Sequence, residues 1–153
     1  MKILFLDIDG VLNNKKTPMR ETSMWPLSPW LVKVLHRILC HTGSKVVLSS
    51  SWRHDPEGIN NVRLAVLPHE LIGITSRYSS SSKYGVKEDE LCRGHNIQDW
   101  FDENKEYVID KYAILDDSGP EEFLDHQHPN FFKTETDTGL TEEIADRIII
   151  HLE

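Results

Sequence analysis

Apolar positions in this chain fall into short unbroken runs separated by segments of helical spacing, and a polar cluster closes each run. The first run, Ile3 to Leu6, is the pattern of a strand covered on both faces. In "LSPWLVKVLHRILCHTG", Leu31, Val34, Leu35, Ile38 and Leu39 share one face of a helix. Ser28 suits its N-cap, Pro29 its first turn and Gly43 a left-handed C-terminal cap. "KVVLSSSWR" gives a second buried strand, "NNVRLAVLPHEL" a short helix and "LIGITS" a third strand. The serine-rich "SRYSSSSKYG", residues 76–85, reads as a mobile loop. "RGHNIQDWFDEN" reads as a helix with Ile97, Trp100 and Phe101 inward, "KYAIL" as another buried strand and "NFFKT" as a last strand. Thr141 caps a terminal helix whose first turn carries Glu142 and Glu143. Strands alternating with helices predict an α/β fold with a mainly parallel sheet, where ligands gather beyond the carboxyl ends of the strands.

Those ends carry the unusual residues. "DIDG" follows the first strand and places Asp7 and Asp9 where carboxylates are costly unless a cation sits between them. Mg²⁺ fits, because it takes a few carboxylates together with water and substrate phosphate oxygens. Asp7 is then an oxygen donor and a nucleophile toward phosphorus, and Asp9 a general acid and base. Gly10 permits the tight turn. Asp116 and Asp117 close a second apolar run, so the candidate metal ligands are Asp7, Asp9, Asp116 and Asp117, with either member of the second pair as the direct contact. Ser49, Ser50 and Ser51 offer neutral hydroxyls to phosphoryl oxygens; Ser49 is favoured and Ser50 is next. Arg53 and Arg93 offer guanidinium groups, with Lys83 and Lys87 as alternatives to Arg93.

Composition narrows the class. The chain has 153 residues, the size of one ordinary domain, expected to span 1–153. A formal charge of −8 argues against broad salt-driven binding of nucleic acid, but leaves room for recognition of a strand end by a local basic cluster. No apolar run approaches the ~20 residues of a membrane span, and Asp7 and Asp9 interrupt what would be a leader's apolar stretch. With only Cys40 and Cys92, a reduced cytoplasmic setting is expected, with both thiols as inert packing. "HQH" at 126–128 reads as an exposed loop, and Trp25, Trp30, Trp52 and Trp100 as core.

"DIDGVLN", "VVLSSSWR", Arg93 before a helix and "AILDDS", in that order, resemble the four motifs of the haloacid dehalogenase (HAD) superfamily. The combination is similar to the phosphatase domains of Swiss-Army-Knife RNA repair proteins, with polynucleotide 3′-phosphatases as relatives. The resemblance spans Lys2 to the "TGLTEE" segment. It implies a Rossmann-like three-layer sandwich, Mg²⁺, Asp7 as nucleophile and Asp9 as general acid/base. Asp at the second position of the first motif goes with phosphatases in that superfamily.

The expected reaction is phosphomonoester hydrolysis through an aspartyl-phosphate. The segment Asn13–Pro26 is only a short flap, a minimal cap, and an open site admits the phosphorylated end of an RNA or DNA, a 3′-phosphate being favoured. The alternatives are a small-molecule phosphatase such as a nucleotidase and a non-catalytic phosphate-binding module. A separate kinase or ligase partner fits the repair reading.

Overall fold

The computed structural model describes residues 1–19 and 25–153. Its centre is one five-stranded parallel sheet built from β1 (Lys2–Leu6), β2 (Lys45–Leu48), β3 (Leu71–Ile74), β4 (Lys111–Asp116) and β5 (Phe131–Lys133). The strand order is β3-β2-β1-β4-β5. The chain therefore builds outward from β1 in one direction, then crosses back to place β4 on its other side. That reversal opens a crevice beyond the carboxyl ends of β1 and β4.

Alternation along β1 divides the core. Leu4 and Leu6 face a cluster with Leu35, Ile38, Val62 and Ile148, supplied by α1 (Pro29–Thr42), α2 (Pro56–Val66) and α5 (Glu142–Leu152). Ile3 and Phe5 face Ile97 and Trp100 of α4 (Arg93–Glu103), with Phe101 packed against them. The result is the expected three-layer α/β sandwich of Rossmann-like topology. The predicted caps form: Ser28 Oγ accepts from Leu31 N, Gly43 adopts φ 65°, and Thr141 accepts from Ile144 N.

The serine-rich segment differs from its reading as a mobile loop. It contains a helical turn, α3 (Ser81–Tyr84), and is tied to α4 through Asp99. Polar composition hides this, because the anchor is a buried carboxylate rather than an apolar residue. The "HQH" stretch is a 3₁₀ turn whose central Gln127 is fully buried, accepting from Leu124 N and donating to Gly94 O. Trp30 is exposed instead of core, with Lys33 over its ring, and Cys40 is exposed rather than packed. The flap Asn13–Pro26 lies partly outside the described residues. Among those described, no helix is long and apolar enough to cross a membrane.

Candidate active site

Strand register builds the centre of the site. Leu6 pairs with Leu115 and with Leu48, so the next residues, Asp7, Asp116 and Ser49, emerge side by side from the three central strands. Backbone bonds from Asp7 N to Leu115 O (3.0 Å) and from Ser49 N to Leu6 O (2.9 Å) extend the ladder to these tips. Asp7 and Asp116 are almost completely buried, at 2% and 0% exposure.

Asp7, Asp116 and Asp117 each place a carboxylate oxygen within 4.8 Å of the others. Arg93 Nη1 donates to Asp116 Oδ2 at 2.6 Å and stands 3.2 Å from Asp7 Oδ1. Burial, then the neighbouring Asp116 charge, pushes the Asp7 carboxyl up to about 7, against the pull of Arg93. Three carboxylates facing one guanidinium leave a deficit of two positive charges. A hard divalent cation with oxygen ligands matches both the deficit and the donor set. The residues present fit Mg²⁺.

Asp9 goes elsewhere. Its carboxylate is exposed and outside that group, accepting from Asn13 Nδ2 at 2.8 Å and from Trp52 Nε1 at 3.0 Å. Asp9, expected among the metal ligands, is not in that group: each of its oxygens accepts a hydrogen bond, one from Asn13 and one from Trp52. Gly10 makes the turn at φ 75°, and a Cβ there would collide with the Asp117 carboxylate. Asp117 is steadied by Thr136 Oγ1 at 2.8 Å.

The serine cluster divides its labour. Ser50 Oγ accepts from Trp52 N and caps the following 3₁₀ turn, and Ser51 is exposed. Ser49 Oγ is buried beside Asp7 with no hydrogen-bond partner among the described residues. An orphaned buried hydroxyl is costly, and a phosphoryl oxygen would satisfy it. Arg53 is also buried; its Nη1 clasps the carbonyls of Ser49 (3.1 Å) and Ser50 (2.9 Å), while its Nε has no partner.

Among the basic residues considered for the site, Arg93 reaches Asp7. Lys83 is committed to Asp99 and Asp102, and Lys87 is exposed on a loop. Arg93 is positioned by Gly94: a Cβ there would lie 2.6 Å from Leu124 N, so only glycine lets α4 start this close to the turn after β4. Asn13 and Asn96 are site residues that the sequence reading did not single out, whereas Trp52, read as core but lying near a loop at the active end, both packs in the core and reaches the site. Asn13 stands four residues after Asp9 within "DIDGVLN", which is a signal that spacing could have given. Trp52 and Asn96 meet the site only through tertiary packing.

Parallel strands with carboxylates gathered at a switch point are the arrangement of an α/β protein of the HAD type. The family described as the HAD domain in Swiss Army Knife RNA repair proteins matches residues 3–145, and the chain belongs to it. This membership indicates a phosphatase or hydrolase in general. No curated protein and no solved structure gives a significant match.

Proposed function

We propose that the protein is a Mg²⁺-dependent phosphomonoesterase that works through an aspartyl-phosphate and acts on the 3′-phosphate end of a nucleic acid. The observation that carries the chemistry is the buried Asp7, flanked by Arg93 and by the unpartnered Ser49 hydroxyl. A carboxylate beside a cation and a vacant neutral donor is equipped to attack a phosphoryl group.

Asp7 attacks phosphorus in line while the ester P–O bond breaks, and protonated Asp9 gives its proton to the departing alcohol oxygen. Asp9, now a base, takes a proton from water, which attacks the aspartyl-phosphate and releases phosphate. Asn13 and Trp52 hold Asp9 in place for both transfers. Ser49 and Arg93 contact the equatorial oxygens, where phosphoryl transfer is mostly assisted. Mg²⁺, held by Asp7, Asp116 and Asp117, would supply further neutralisation of phosphoryl charge.

The nucleic-acid end is supported by the RNA repair proteins in which the family's domain occurs. A screen of 3′-phosphorylated oligonucleotides, nucleoside monophosphates and sugar phosphates with Mg²⁺ tests the reading, with phosphate release as the readout. Fastest release from oligonucleotides, abolished in Asp7→Asn, is expected. Preference for mononucleotides would defeat the polymer substrate, and unchanged turnover in Asp7→Asn would defeat the mechanism.

A further inference from the structure

Beside the carboxylate centre lies a cleft of about 620 Å³ that shares Arg93 with it. This is the size of a nucleotide-binding pocket rather than of a single phosphate. Its wall includes Arg77, Tyr78 and Ser79 from the serine-rich segment, and Asn96 from α4. Three features of that wall are unaccounted for by hydrolysis at Asp7.

First, no carboxylate among the described residues pairs with Arg77, although the chain as a whole carries a charge of −8. Second, Tyr78 is 86% exposed, the most exposed of the large apolar or aromatic side chains described, with the His54 ring 6.0 Å from its own. Third, the wall is held rigid. Asp99, buried inside α4, accepts from Ser79 Oγ (2.5 Å) and Tyr84 Oη (2.6 Å) and pairs with Lys83. Asn96 Nδ2 donates to Ser79 Oγ at 2.8 Å, and Asn96 Oδ1 reaches Arg53 Nη2 at 3.5 Å. The segment bearing Arg77 and Tyr78 is thereby fixed to the element that begins at Arg93.

Arg53 feels both other guanidiniums. Burial, then Arg93, and to a smaller degree Arg77, lower the Arg53 guanidinium, and burial, Arg53 and Arg77 lower the His54 imidazole. Arg93 is already paired with Asp7 and Asp116, but no ion pair with a carboxylate engages Arg53 or Arg77 among the described residues, so an anionic group can be met there without displacing one. Glu88 and Glu122 also line the cleft; they suit the N–H edge of a base rather than a phosphate.

We infer that this cleft is a second subsite, in which Tyr78 stacks the 3′-terminal base and Arg77 grips the phosphodiester on that nucleotide's 5′ side. The inference rests on the reading that the scissile phosphate sits at Asp7. It specifies single-stranded nucleic acid, and its smallest complete ligand is a nucleoside 3′,5′-bisphosphate.

The test is fluorescence-anisotropy titration of a 5′-labelled, 3′-phosphorylated hexaadenylate RNA against the turnover-blocked Asp7→Asn protein in Mg²⁺ at several salt concentrations. Arg77→Ala, added to it, is expected to weaken binding about ten-fold and to flatten the slope of log Kd against log salt by about 0.7. Tyr78→Ala is expected to weaken binding about ten-fold with the slope unchanged. In competition, adenosine 3′,5′-bisphosphate should outbind adenosine 3′-monophosphate, and Arg77→Ala should erase that advantage while leaving inorganic phosphate within about two-fold. Absence of RNA binding, an unchanged slope in Arg77→Ala, or equal losses for RNA and inorganic phosphate would each overturn the subsite. Arg77-dependent RNA binding by a protein that releases phosphate from no ester would sustain the subsite and remove the hydrolytic reading. Turnover of a 3′-phosphorylated end that ignores Arg77 and Tyr78 would do the reverse.

Discussion

Trp52 donates its indole N–H to Asp9 Oδ2 at 3.0 Å, across 43 residues of sequence. The same ring is buried at 3% exposure and packs against Trp25, so the core itself aims the proposed acid/base. Trp52→Phe keeps an aromatic ring in the core and removes only the donor. We expect kcat to fall roughly ten-fold on an alkyl phosphate, within the range attributed to general acid–base catalysis. Hydrolysis of p-nitrophenyl phosphate, whose leaving group needs little protonation, should change far less. Steady-state kinetics on the two esters check the difference; equal losses would make Trp52 a packing residue only.

Ser49 sets stability against activity. Its hydroxyl is buried without a partner, a state that costs about 1–3 kcal/mol. Ser49→Ala should therefore leave the fold as stable or stabilise it by about 1 kcal/mol, while lowering kcat by about 10²-fold, as loss of a preorganised donor does. Chemical denaturation and turnover of one preparation measure both signs.

Metal addition should stabilise the fold through the three clustered carboxylates. At ten times its Kd, Mg²⁺ adds about 1.4 kcal/mol, or roughly 3–6 °C for a chain of this size. Asp116→Asn removes a ligand and should flatten the response of Tm to Mg²⁺. Differential scanning fluorimetry across a MgCl₂ series shows whether it does.

The Asp99 anchor predicts an acid-sensitive wall. Burial alone would raise the Asp99 carboxyl, but hydrogen bonds from Lys83, Ser79 and Tyr84 outweigh it and hold the group below its ordinary 3.8. A depressed folded value means that the stabilisation is complete above 3.8 and is lost as pH falls through the folded value. The stability gap between wild type and Asp99→Asn should thus be constant from pH 7 to about 5, then close in stronger acid. Urea unfolding at stepped pH follows it, and a gap that widens on acidification would contradict the assignment.

The sheet was legible because β1, β2 and β4 each carry a continuous apolar run after an initial lysine, and Ile3–Leu6, Val46–Leu48 and Ala113–Leu115 of those runs are buried in the structure. Asp7, Asp116 and Ser49 could be placed because they follow directly on those runs. The Asp9 side chain stands apart from the other carboxylates for a physical reason: residues two apart share a side only while the chain stays extended, and at the Gly10 turn Asp9 meets Trp52 instead. Residues 76–85 were misread because their order comes from Asp99, twenty residues beyond Ser79. Trp30 follows α1's N-cap on the solvent side, which composition alone cannot distinguish from the core.

The backbone N–H of Asp7 is bonded to Leu115 O between the two innermost strands. Its exchange with solvent deuterium therefore reports how readily β1 and β4 part at the tip that carries the proposed nucleophile. A rate close to that of the core strands would mean that the proposed site is as stable as the sheet that presents it.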